Sequence, residues 1–187
     1  DDGSKNIAYK EVQDINNVIS IRLDKNNGKG AALIEGFKYA IKNNFTHVIT
    51  MDSDLQHPPH KINDFIKSDI NFELVYGNRT INSYMPIHRR LSNKITSLMI
   101  SFFCGQTIHD SQCGFRRYSL NKIIESLPTE TGFQFESQIL INLSKRNVLF
   151  SPVDIPTIYN NENSSIRSIS DTLKFIKLIL KNLWQTI

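Results

Sequence analysis

The sequence predicts an α/β fold with a mostly parallel sheet flanked by helices, and three observations lead there. Apolar runs suited to strands alternate along the chain with stretches of helical periodicity. The strand runs end abruptly in polar or glycine-containing turns, most clearly where Thr46 to Met51 stops at Asp52-Ser53-Asp54. The 187 residues are 40% hydrophobic, enough to bury one substantial core, so a single domain is expected over 1–187.

Taken in order, Val18 to Leu23 is β-rich and leads through Gly28-Lys29-Gly30 into a helix. That helix places Ala31, Ala32, Ile34, Phe37, Ala40 and Ile41 at mostly three-to-four spacing. Thr46 to Met51 forms the next strand. Pro58-Pro59 opens a short helix through Lys67, since proline is tolerated in a first helical turn, and Glu73 to Gly77 reads as a strand. A helix from about Arg89 to Phe103, a strand from Cys113 to Tyr118, a helix from about Gln134 to Arg146 and a strand from roughly Val148 to Tyr159 follow. A polar loop, Asn160 to Ser165, leads into a C-terminal amphipathic helix over 168–187. There Ile169, Leu173, Ile176, Leu180 and Leu183 recur at helical spacing beside Lys174, Lys177 and Lys181. In such a sheet ligands sit beyond the carboxyl ends of the strands, so the chemistry is expected there.

Composition narrows the function classes. A charged fraction of 21% without long low-complexity tracts excludes disordered and fibrous chains. Cys104 and Cys113 match neither a disulfide framework nor a paired zinc spacing, which points to a reducing, cytoplasmic compartment. No apolar run approaches the roughly 20 residues that span a bilayer, so this stretch is not expected to cross one. A net charge of +4 and a pI of about 9.0 suit an anionic partner: nucleic acid, a nucleotide diphosphate or a membrane surface. Nucleic acid fits least, because no basic tract interleaved with aromatics appears.

Asp52 and Asp54 are the first candidates for chemistry. Two carboxylates one residue apart at a strand end can share one hard divalent cation, and Mg²⁺ characteristically takes one or two carboxylates plus substrate phosphates. An Asp-x-Asp triplet alone is equally a turn or a helix cap, so the context decides. His57 and His60 have a three-residue gap that would suit zinc, but Pro58-Pro59 between them prevents a regular ligand-bearing helix. Gly28-Lys29-Gly30 offers close backbone approach, a charge and a helix start for an anion. It lacks the spacing of a Walker loop, which argues against a kinase or ATPase.

The run Asp52-Ser53-Asp54-Leu55-Gln56-His57-Pro58-Pro59 resembles the metal-binding signature of family 2 glycosyltransferases, particularly those that make dolichyl- or polyprenyl-phosphate sugars. Further blocks resemble the same family in the same order. They are Asp1-Asp2-Gly3-Ser4, Asn27-Gly28-Lys29-Gly30-Ala31-Ala32, Gly77-Asn78-Arg79, Arg89-Arg90-Leu91-Ser92-Asn93, Asp110-Ser111-Gln112-Cys113-Gly114-Phe115-Arg116 and Phe135-Glu136. The resemblance implies a GT-A (Rossmann-like) fold with Mg²⁺ or Mn²⁺ on Asp52, Asp54 and Gln56. It implies that Asp1, Asp2, Lys29, Asp52, Ser53, Asp54, Arg79, Arg89, Arg90, Gln112 and Arg116 serve the nucleotide sugar, metal and phosphates. Gly114 would let backbone approach a ligand, and Asp110 and Glu136 are the catalytic candidates. One departure stands out: the family's opening strand, with a Pro-x-Tyr-Asn-Glu-like segment, and the helix after it do not precede Asp1. A βα unit of roughly 30 to 40 residues is therefore expected to be missing.

The expected reaction is transfer of a glucose- or mannose-type hexose from a UDP- or GDP-hexose to a polyprenyl or dolichyl phosphate, with inversion. An alcohol acceptor needs a general base, whereas a phosphate monoester, with a second pKa of about 6, is already largely dianionic at pH 7. Two alternatives stay open: transfer to a hydroxyl with Asp110 or Glu136 as base, and a nucleotide-binding protein without catalysis. The C-terminal helix and the helix carrying Arg89, Arg90, Lys94, Ile95, Leu98, Met99, Phe102 and Phe103 suit a peripheral position on the cytoplasmic membrane face, although both apolar faces could equally pack on the core.

Overall fold

A computed structural model of the chain describes residues 1–3, 12, 15–80, 87–132, 134–158 and 168–184, without the side chains of 88 and 168–171. Ser4 of the opening turn, the loop Asn160 to Ser165, Tyr159 and the Ile169 side chain lie outside the described residues, as does 185–187. The elements are α1 (Lys29–Lys42), β1 (His47–Thr50), a 3-10 turn (Pro59–Lys61), α2 (Ile62–Lys67), β2 (Leu74–Arg79), α3 (Ile87–Cys104), β3 (Arg116–Ser119), α4 (Leu120–Ile123), α5 (Phe135–Ser144), β4 (Phe150–Ile155) and α6 (Ser168–Trp184).

The four strands form one sheet in the order β1-β3-β2-β4. β2 and β4 are parallel, and β3 runs against both its neighbours, β1 and β2. Three strands therefore share one direction, as an α/β sheet of this class requires, with β3 reversed in the middle. That reversal positions the site. Arg116, the first residue of β3, is opposite Thr50 at the end of β1 and opposite Tyr76 in β2. The loop entering β3, residues 110–115, therefore lies at the edge where β1 and β2 finish.

Val18 to Leu23 forms no strand among the described residues. Among the described residues its ladder contacts are two backbone bonds with Asp1, from the Asp1 nitrogen to the Ile21 carbonyl at 2.8 Å and from Leu23 N–H to the Asp1 carbonyl at 3.0 Å. A β-rich sequence becomes a strand only when a partner of comparable length pairs with it.

Alternation in β2 separates two cores. Leu74 and Tyr76 join Phe37, Tyr118, Ile100, Phe135, Ile139, Leu140 and Leu178 on the face covered by α1, α3, α5 and α6. Val75 joins Phe65, Cys113, Phe115 and Ile155 on the face covered by α2. There Phe65 stacks on Phe115 with ring centroids 4.1 Å apart; burying one such ring contributes about 2 kcal/mol. Arg117 also faces this side and clasps four carbonyls, of Phe65, Ser68, Asp69 and Phe72, at the end of α2. α6 docks through Leu178 and Ile179, and its buried Asn182 bonds the Gln138 side chain of α5 at 2.9 Å.

Gly30 fixes where α1 starts. A Cβ there would lie 2.8 Å from the Phe135 Cβ and from the Thr131 carbonyl, so only glycine lets α1 pack this closely on the entrance to α5.

Candidate active site

Beyond Thr50 the chain leaves the sheet and folds back on itself within six residues. The Asp52 N–H donates to His57 Nδ1 at 2.9 Å, and the Gln56 N–H donates to Asp54 Oδ1 at 3.0 Å. Leu55 between them takes a φ of 62°, a left-handed conformation costing a branched residue about 1 kcal/mol. His57 is buried, lies over Phe115 with centroids 5.4 Å apart, and is held below the ordinary histidine pKa chiefly by desolvation. With Nδ1 accepting a hydrogen bond, the neutral ring carries its proton on Nε2, which faces Cys113 Sγ at 3.8 Å and Asp52 Oδ2 at 3.9 Å. His57 is thus a brace for the loop, as its sequence position between aspartates and prolines did not reveal.

Asp52 meets two residues from distant elements. Lys29, at the start of α1, places Nζ 2.5 Å from Asp52 Oδ1 and 2.7 Å from Oε1 of Glu136, in the first turn of α5. Burial alone would lower the Lys29 pKa, but the two carboxylates outweigh it and raise it. Gly114 forms the wall of this cluster. A Cβ on it would lie 2.6 Å from Glu136 Oε1, 2.9 Å from Lys29 Nζ and 3.0 Å from Asp52 Oδ2. The space its missing side chain leaves is filled by side chains of the cluster itself, where the sequence had suggested room for a ligand.

Asp110 stands in a second cluster. Its Oδ2 accepts from Arg79 Nε at 2.6 Å and its Oδ1 from Arg79 Nη2 at 2.9 Å, a two-pronged pair. Asn93 Nδ2 at 3.1 Å and the Gln112 N–H at 3.3 Å also donate to Oδ1. The carboxylate is 2% exposed. Desolvation would raise its pKa, but the Arg79 guanidinium and these donors hold it below the usual carboxylate range. Asn93 is on α3, and Arg89 and Arg90, four and three residues earlier, share its helical face. The exposed Gln112 also reaches Thr96 of α3 at 3.4 Å.

Asp1 and Asp2 lie against the segment leading to Lys29. Asp1 pairs with Arg22 at 3.0 Å, and Asp2 accepts from Asn26 Nδ2 at 3.2 Å, while the Asn26 side-chain oxygen Oδ1 takes the Gly28 N–H at 3.0 Å. Arg116 departs from expectation. It is fully buried, and its guanidinium donates to the carbonyls of Cys113, Ser111 and Glu136 at 2.7, 2.7 and 2.8 Å. It fastens the 110–115 loop to α5 from behind, out of reach of a ligand. Ser53 is exposed beside Asp54.

Among the described residues, no three His, Cys, Asp or Glu side chains converge as a metal-holding group. The oxygen donors at the β1 end, two carboxylates and the Gln56 amide, fit a hard divalent ion only if the rest of its shell comes from a ligand such as a diphosphate.

The overall arrangement is that of the GT-A glycosyltransferases. Glucosyl-3-phosphoglycerate synthase from Mycobacterium tuberculosis, solved with Mn²⁺ and UDP-glucose, superposes with a TM-score of 0.60 at 18% identity, over 83% of this chain and 54% of that one. The profile of Glycosyl transferase family 2 matches residues 1–127, and the chain belongs to that family. A UDP-N-acetylglucosamine–dolichyl-phosphate N-acetylglucosaminyltransferase of Methanococcus voltae is 30% identical over 183 residues, covering 85% of this chain and 73% of its own length. An undecaprenyl-phosphate 4-deoxy-4-formamido-L-arabinose transferase of Photorhabdus laumondii subsp. laumondii is 31% identical over 132 residues, 68% of this chain and 39% of that protein.

Proposed function

We propose that this chain is the catalytic core of an inverting glycosyltransferase that moves a hexose from a UDP- or GDP-hexose to a polyprenyl or dolichyl phosphate, using Mg²⁺ or Mn²⁺ at the cytoplasmic face of a membrane. The two relatives are named for transfer to dolichyl and undecaprenyl phosphate, which supports the acceptor class. The observation that carries it is the state of Asp110. Both its oxygens are engaged by Arg79, Asn93 and Gln112, and its pKa is lowered, the opposite of what a general base for an alcohol needs. Glu136 is likewise engaged with Lys29. An acceptor that arrives as an anion needs no base, only cations to aim it.

The Asp1-Asp2 turn takes the nucleoside, and Lys29 faces the diphosphate. Arg79, its fork fixed by Asp110, works with Arg89 and Arg90 on the acceptor phosphate, whose oxygen attacks the anomeric carbon opposite the departing diphosphate. Ser53 and Gln112 border the donor. A divalent ion held by Asp52, Asp54 and Gln56 with diphosphate oxygens would offset the charge of the leaving group.

Two helices support attachment to a bilayer. α3 exposes Ile87, Leu91, Ile95, Leu98 and Phe102 in one row, beside Arg89, Arg90 and Lys94, while its Met99 and Phe103 turn to the core. α6 exposes Leu173, Ile176, Leu180, Leu183 and Trp184, the last 82% exposed, on a face separate from its buried Leu178 and Ile179. Such rows exceed the scattered apolar residues of an ordinary surface and suit an interfacial helix. No helix among the described residues is long and apolar enough to cross a membrane.

The test is a screen of UDP- and GDP-hexoses with polyprenyl phosphate and Mn²⁺, followed by chelation. Transfer is expected to stop with chelator and to fall at least about a hundredfold in Asp52→Asn and Asp54→Asn. Transfer indifferent to chelator contradicts the role of these aspartates, and nucleotide binding without turnover under any donor identifies a binding protein.

A further inference from the structure

The Lys29 cluster differs from an ordinary ion pair in three respects. Its cation is a point charge on a flexible stem, and about a quarter of the side chain is exposed. It is shared between two carboxylates, on Asp52 and Glu136, that come from separate elements. It is pressed against the bare backbone of Gly114, so neither the ammonium nor either carboxylate can shift toward that wall.

We infer that Lys29 is an exchangeable internal cation, which holds Asp52 while no metal is bound and cedes it to a divalent ion that arrives with its ligand. This rests on the reading of Asp52 as a metal ligand. For the exchange the ion must claim Oδ1, the oxygen that Lys29 holds at 2.5 Å. A divalent ion and an ammonium cannot share one carboxylate oxygen at close range without strong repulsion, so binding of one weakens the other. Glu136 makes the exchange possible. After Asp52 is released, Lys29 keeps one carboxylate partner at 2.7 Å and is not left uncompensated in a half-buried site. Arg79, whose fork is locked to Asp110 by two bonds, has no comparable freedom.

Mn²⁺ binding to the full chain at saturating UDP, or GDP where UDP does not bind, followed by electron paramagnetic resonance, tests the exchange together with melting temperatures with and without Mn²⁺. Lys29→Met is expected to bind Mn²⁺ about tenfold more tightly than wild type, the effect of one neighbouring charge. It should also melt lower without Mn²⁺ and gain more on its addition. Lys29→Gln, which is polar, should behave as Lys29→Met does, and Lys29→Arg, which keeps the charge, as wild type. No gain in affinity in Lys29→Met or Lys29→Gln, including no detectable binding to any form, overturns the inference. Asp52→Asn separates the two levels. Loss of Mn²⁺ in that variant with no gain at Lys29 sinks the exchange alone, whereas undiminished binding sinks the metal reading and the exchange with it.

Discussion

The two cation–carboxylate clusters at the sheet edge use similar groups in opposite ways. Asp110 is saturated: a two-pronged guanidinium, an amide and a backbone N–H enclose it. Asp52 is approached by one ammonium, and its neighbour Asp54 contributes an oxygen to a local turn at the open end of β1. A saturated carboxylate orients its partner and stays ionised. An incompletely coordinated one is available to trade partners. The contrast supports the proposed division of labour, with Asp110 positioning Arg79 and Asp52 left to bind ligand.

Asp110→Asn should break this contrast most severely. It leaves Arg79 without its counter-charge in a largely buried site, costing about 3 kcal/mol at the low end for such pairs because Arg79 is partly exposed. For a chain of this size that lowers the melting temperature by roughly 6–12 °C. The pH dependence has a defined sign. Because the folded-state pKa of Asp110 is depressed, its contribution is complete above the unfolded value of about 4 and is lost as pH falls through the folded value. Melting curves of wild type and Asp110→Asn should therefore differ most above pH 4 and converge in stronger acid.

Gly114→Ala sharpens the other side. The new Cβ meets the ends of flexible side chains, which can move aside, so the fold should lose less than about 4 °C in melting temperature. Displacing Glu136, Lys29 and Asp52 by an ångström or so is expected to lower transfer about a hundredfold. Steady-state kinetics beside calorimetry separates the two. The smallest effect belongs to the outer face of α6. Leu180→Asp should weaken sedimentation with anionic vesicles several-fold and leave the melting temperature unchanged, since the side chain is half exposed.

Much of this was legible beforehand. Hydrophobic runs bounded by turn residues located β1, β2, β4 and the long helices to within a few residues, because one face of each must be buried. Direction was not legible: the run at Cys113 to Tyr118 has the same composition whichever way it runs, and only packing reveals that β3 is antiparallel. The acidic and basic residues grouped at the site, Asp52, Lys29, Asp110, Arg79 and Glu136, stood out by their places at strand and helix ends. Their pairings did not, since partners from 23 to 107 positions apart leave no local pattern. Arg116 misled because a guanidinium inside a motif looks the same whether it faces a phosphate or three backbone carbonyls.

The most direct test compares two acceptors with the same chain and different heads, polyprenyl phosphate and the free polyprenol, each with the accepted nucleotide sugar and Mn²⁺ across pH 5 to 9. Transfer to the phosphate alone is predicted, with an acidic limb that follows the second ionisation of the phosphate near 6. Efficient transfer to the alcohol, with a limb that moves on substitution of Asp110 or Glu136, would contradict the account.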